Sequence, residues 1–121
     1  MTEERQSSGP GRTEGQVAAI DRLAHELEGI GRHESGPALE FVRGGIVFAV
    51  RERGGHSFRL RPEIVEAALR TPDTSPSERG AEWVGLDSTA ADAFTLDRAK
   101  AWFETAWRLA GEVVERRPHL N

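Results

Sequence analysis

Four histidines, a complete lack of cysteine and a run of arginines decide which chemistry this chain could perform. His25, His33, His56 and His119 are never two or four residues apart and form no HExxH frame, so no set of ligands converges as a metal centre requires. Without cysteine there is no thiolate nucleophile, disulfide or thiolate zinc site. His25 follows Asp21 by one helical turn, but no serine stands in a GxSxG elbow, so the pair reads as solvated charge rather than a catalytic dyad. The pairs Gly44-Gly45 and Gly54-Gly55 lack the spacing of a phosphate loop or dinucleotide fingerprint and read as turns. No catalytic residue, metal or cofactor is expected.

The arginines suggest binding instead. Between Phe41 and Arg61 five arginines face a single acidic residue, Glu52, giving that segment +4 in a chain of net charge −4. Arg43, Arg51, Arg53, His56, Arg59 and Arg61 are therefore the candidate residues for a nucleic acid or a small anionic ligand. The plain alternative is a solvated sheet face. Fifteen of the sixteen basic residues are arginine, so no single one marks a choice of guanidinium geometry. Of the three tryptophans, Trp102 and Trp107 fall on a helical apolar stripe, whereas Trp83 shares a strand face with Gly85 and could floor a shallow pocket.

The elements that must position these groups follow from periodicity. Residues 1–12 carry no apolar repeat and read as a disordered tail, leaving 13–117 as a single α+β domain. Val17, Ile20, Leu23, Ala24, Leu27 and Ile30 recur at helical spacing, with a start near Thr13 or Glu14 and an end at Gly29–Gly31. After Pro37 the period becomes two, and a three-strand antiparallel meander is expected, turning at the two glycine pairs. Within it Ile46, Phe48 and Val50 should share one face, Val47, Ala49 and Arg51 the other. Phe58 and Leu60 should point inward, with Ser57, Arg59 and Arg61 outward. Pro62–Arg70 reads as a short helix, 71–80 as a turn-rich loop and Glu82–Leu86 as a further strand. The last helix is expected to be capped by Thr95, with Phe94 as a staple. Leu96, Ala99, Trp102, Phe103, Ala106, Trp107, Leu109, Ala110, Val113 and Val114 form its core stripe and Arg98 lies among its polar residues. The predicted order is α-β-β-β-α-β-α, a meander sheet flanked by an N-terminal and a long C-terminal helix.

Read in that order, Leu27-Glu28-Gly29-Ile30, Phe48-Ala49, Leu60 before a basic residue, Trp83-Val84 and Trp107-Arg108-Leu109-Ala110 resemble the MmcQ/YjbR family. Ile46 stands where members often carry lysine, and Glu28 replaces their usual proline. The small luciferase-domain-like family has a similar order of strands and final helix. The MmcQ/YjbR resemblance implies a CyaY-like α+β fold in a bacterial protein of uncharacterised role, some members having been described as DNA-binding through a double wing. Three functions follow as expectations: a non-enzymatic binding or interaction domain, a DNA-binding protein using its arginine-bearing hairpins, or a small enzyme or resistance-associated ligand binder without a familiar catalytic motif. No segment approaches the length of an apolar membrane span and residues 1–12 lack the core of a secretion signal. A cytoplasmic monomer or weak homodimer is expected.

Overall fold

The computed structural model describes residues 15–89 and 92–116, so the expected 1–12 tail, the helix start at Thr13 or Glu14 and residue 117 lie outside the described residues. Helix α1 (Gln16–Glu26) follows Gly15 and is closed by the Leu27 N–H donating to the Leu23 carbonyl. Four strands come next: β1 (Ile30–Ser35), β2 (Ala38–Arg43), β3 (Ile46–Glu52) and β4 (Gly55–Arg59). Helix α2 (Pro62–Ala68), the three-residue β5 (Thr74–Pro76), β6 (Trp83–Asp87) and helix α3 (Ala93–Arg116) complete the order. The strands form one antiparallel sheet in the order β1-β2-β3-β4-β6-β5. The α+β architecture is as expected, with two strands more than the apolar pattern predicts.

Both additional strands lack the signal that would announce them. β1 has five exposed residues out of six and is held by its ladder to β2 through the Gly36-Pro37 turn, where Gly36 takes φ +60°. α1 therefore ends at Glu26, and Gly29–Gly31 is the entry to a strand rather than a helix terminus. β5 lies inside the predicted 71–80 loop and pairs with β6.

A bulge also changes the faces of β3. Phe41 sits opposite Ala49 but Val42 opposite Val47, so Phe48 is the extra residue, and Phe48 and Ala49 both enter the core. The alternation beyond it is inverted relative to expectation. Arg51, opposite His56 and Leu39, faces the helices, while Val50, opposite Ser57 and Glu40, faces away. On the helix side Phe103 meets Phe41 and Phe48 edge-on, each at 5.2 Å between ring centres. Ala99, Ala106 and Ala110 let α3 lie close to the sheet, and Val84 and Leu86 join this core, leaving Trp83 and Gly85 on the opposite face.

α3 starts two residues before Thr95, and its cap is Asp92, whose carboxylate accepts the Thr95 backbone N–H at 2.8 Å. That bond holds the Asp92 carboxyl below the usual carboxylate range. Arg98, expected on the polar face, is buried.

The pairing of β4 with β6 depends on Gly55. A β-carbon there would collide with the Leu86 carbonyl and come within 3.2 Å of the Ser88 nitrogen, both of them backbone atoms that cannot move alone. Gly55→Ala is expected to cost about 1–3 kcal/mol in urea unfolding. Gly31→Ala, whose β-carbon would meet nothing nearer than the Val42 carbonyl at 4.0 Å, should stay within about 0.5 kcal/mol of the parent.

Candidate functional site

The arginine run does not form one patch. Arg43 lies along α3, donating from Nη1 to the Trp107 carbonyl at 2.9 Å and stacking on the Trp107 ring at 4.1 Å, in space that Gly111 leaves open. Arg59 is bound to Glu82 on the opposite face at 3.1 Å, and Arg61 pairs with Glu112 of α3. Arg51 is held by Asp21 of α1 at 2.9 Å. Arg53 alone in this run has no partner among the described residues, and it lines a groove at the β3–β4 turn.

His56 is the buried end of a network beneath α1 that reaches the surface at Asp21 and Arg32. Its Nε2 accepts from Arg51 Nε at 3.1 Å, which places the ring proton on Nδ1, where it is donated to Gln16 Oε1 at 2.5 Å. Gln16 passes the chain on to the Asp87 carbonyl at 3.3 Å, while Asp21 joins Arg51 to Arg32. Burial first, then the Arg51 charge, pushes the His56 pKa down to about 4, against a weaker upward pull from Asp21. Burial would raise the Asp21 carboxyl, but the hydrogen bonds and charges of Arg51 and Arg32 together outweigh it and hold the group below its ordinary value. His56 is thus a neutral linker between helix and sheet.

The face away from the helices carries a different feature. The segment after β5 crosses the sheet as a strap, and Arg79 fixes it, donating from Nε to Glu52 at 3.0 Å, lying 4.0 Å from Glu40 and stacking over Trp83 at 5.5 Å. Between this strap and the β3–β4 turn lies an open groove of about 1080 Å³. Ser57, Gly85 and Ser75 lie side by side across neighbouring strands at its floor. A β-carbon on Gly85 would stand 3.1 Å from the Ser75 hydroxyl and 3.7 Å from that of Ser57, so the glycine leaves both hydroxyls facing the same space. Neither hydroxyl has a protein partner among the described residues. The rim carries Arg53 and Arg79 beside Glu52, Glu78, Asp73 and Asp87.

Of the expected site residues, Arg53 and His56 line this groove, although the His56 ring is turned to the other face. His56 and Ser57 are neighbours in sequence, yet they point to opposite sides of the sheet, so the imidazole cannot serve as a base for that hydroxyl. Trp83 borders a separate shallow hollow of about 610 Å³ with Pro62, Val65, Leu69, Pro76 and Ala81, not the space beside Gly85. Ser57, Ser75 and Arg79 were not among the expected site residues. The one readable signal for them was Gly85, a glycine inside a strand where something else must approach closely. No family model, curated protein or solved structure matches the chain.

Proposed function

We propose that this chain is a non-enzymatic binding domain of the MmcQ/YjbR type, acting in the cytoplasm, and that its ligand is a small polar molecule with one anionic group, seated in the strap-side groove. The observation carrying this reading is the pair of hydroxyls, Ser57 and Ser75, set about Gly85 in a groove that also holds Arg53, all three without a partner among the described residues. Hydroxyls can donate or accept, and a guanidinium fork takes a carboxylate or phosphate in two parallel bonds. The four carboxylates at the rim favour a ligand with a single anionic group over a polyanion. The same charges, and the engagement of Arg43, Arg51, Arg59 and Arg61 by protein groups, leave the double-wing DNA reading with less support.

A thermal-shift screen of amino acids, sugar phosphates and nucleotides should find a stabilising ligand, because a molecule that binds only the native state raises its melting temperature. Combining Arg53→Ala with Ser75→Ala is expected to weaken that ligand at least tenfold, while the free protein stays within about 0.5 kcal/mol of the parent, since both residues are exposed. Undiminished binding by the double variant would contradict the assignment. So would a labelled DNA duplex binding more tightly than about 10⁻⁴ M at low salt.

A further inference from the structure

The sheet has two edges, and they are unequal. β5 is three residues long and ends in Pro76, which has no N–H to offer a further strand. β1 is six residues long and exposed from Gly31 to Ser35. Its turn to β2 has two residues, Gly36 and Pro37, between Ser35 and Ala38, and a two-residue hairpin closes on a hydrogen-bonded pair. Alternation from that pair turns the backbone groups of Ser35, His33 and Gly31 toward β2. Those of Ile30, Arg32 and Glu34 point outward from the sheet, in position to pair with another strand.

We propose that β1 pairs antiparallel with β1 of a second copy of this chain, about a two-fold axis at His33. The charge pattern selects this register. With His33 opposite His33 of the other copy, Arg32 faces Glu34 of the other copy, and the two-fold repeats that opposite-charge pair on the other side of the axis. A register centred on Arg32 would set two arginines against each other, and one centred on Glu34 two glutamates. The hydrogen-bonding parity agrees, since Arg32 and Glu34 are both outward-facing and can exchange both backbone bonds. Glu34 has no partner among the described residues, and Arg32 can keep its 3.0 Å bond to Asp21 while offering its remaining donors. The rotation leaves the helices of both copies on one side of a continuous sheet, so the groove under the Arg79 strap stays open in each.

Sedimentation velocity of the full chain from about 10 µM to 1 mM at low salt should reveal a weak, concentration-dependent dimer, as fits a contact made by one edge strand. Arg32→Glu places like charges opposite each other twice and is expected to weaken the dimer at least tenfold. Adding Glu34→Arg restores opposite charges and should return the dissociation constant to near the parent value, although the Arg32–Asp21 bond is still missing. A loss due only to that bond would not be rescued. The chain has no cysteine, so His33→Cys gives an independent test without background. The two positions should lie about 4.5 Å apart between α-carbons, within disulfide range, and oxidation should yield a covalent dimer. Ser35→Cys, facing Gly31 of the other copy, should not. A monomer at every concentration, a dimer indifferent to Arg32→Glu, or equal cross-linking at 33 and 35 would overturn the proposal.

Discussion

Replacing Arg98 with methionine is expected to destabilise the protein by about 3 kcal/mol, because it strips a buried cluster of its only donor fork. From α3 the guanidinium donates to the Thr71 hydroxyl and the Pro72 carbonyl, both at 2.7 Å, and to the Thr95 hydroxyl at 3.1 Å. Thr71 in turn donates to the Ala68 carbonyl at 2.6 Å, so one side chain ties the end of α2 to the start of α3. The guanidinium also lies over the Phe94 and Trp102 rings, at 4.7 and 5.6 Å, so methionine keeps the apolar stem but removes these contacts together with the hydrogen bonds. Lysine keeps the charge but not the fork and should recover only part of the stability. Asp73 follows immediately and holds a left-handed backbone at φ 66°, with its carbonyl accepting the Asp87 N–H at 2.9 Å. Once Arg98 is gone this strained turn loses its anchor, and it carries Asp73 at the rim of the groove and leads into Ser75 at its floor. Ligand binding should therefore weaken along with folding. A urea midpoint corresponding to less than 1 kcal/mol of loss would mean that the Arg98 contacts contribute little.

Acid should expose the second large effect. The folded protein holds His56 neutral with a pKa of about 4, whereas in the unfolded chain the ring titrates near 6.5. Between these values the unfolded state binds more protons, so stability rises with pH across the window. The contribution is intact above 6.5 and is lost as the pH falls to about 4. At one pKa unit per 1.36 kcal/mol, this one group accounts for about 3 kcal/mol of acid destabilisation. Its burial leaves little solvent to screen the penalty. Asp21 adds to the same trend at lower pH, since its depressed pKa is a stabilising contribution lost once the carboxyl protonates. His56→Gln removes the titration while leaving an amide that can bond to Gln16 and Arg51. Its stability between pH 7 and 4.5 should be nearly flat where the parent's falls. An equal fall in the variant would place the acid sensitivity elsewhere.

The parts of this molecule that were legible in the sequence are those with apolar alternation or a wide helical stripe. β2, β4 and β6 announce themselves through Phe41, Phe58 and Val84 at period two, and α3 through Ala99, Phe103, Ala106 and Ala110. β1 was hidden because Gly31-Arg32-His33-Glu34-Ser35 buries no apolar face, so its strand character comes from the ladder to β2. The bulge at Phe48 was hidden too, and with it the side on which Arg51 lies. The basic run is visible in the sequence as charge but not as a surface. The partners that engage its members, Asp21, Glu82, Trp107 and Glu112, lie 23 to 64 residues away in sequence, and only the fold brings them together. Arg98 is a charged residue flanked at helical spacing by Phe94, Thr95, Ala101 and Trp102, and it becomes buried because the chain after α2 folds onto it. In the groove, Gly85 was visible, while Ser57 and Ser75 are ordinary residues until two strand pairings align them.

The most direct test of the binding assignment is an amide NMR titration of the full chain with the tightest ligand from the thermal-shift screen, alongside the Arg53→Ala/Ser75→Ala variant. The account predicts shift changes concentrated at Arg53–Gly55, Ser57, Ser75–Arg79 and Gly85, saturating in the parent and needing at least tenfold more ligand to reach the same fraction in the variant. Perturbations centred on β1, on the hollow beside Trp83 or along α3, and unchanged in the variant, would contradict it.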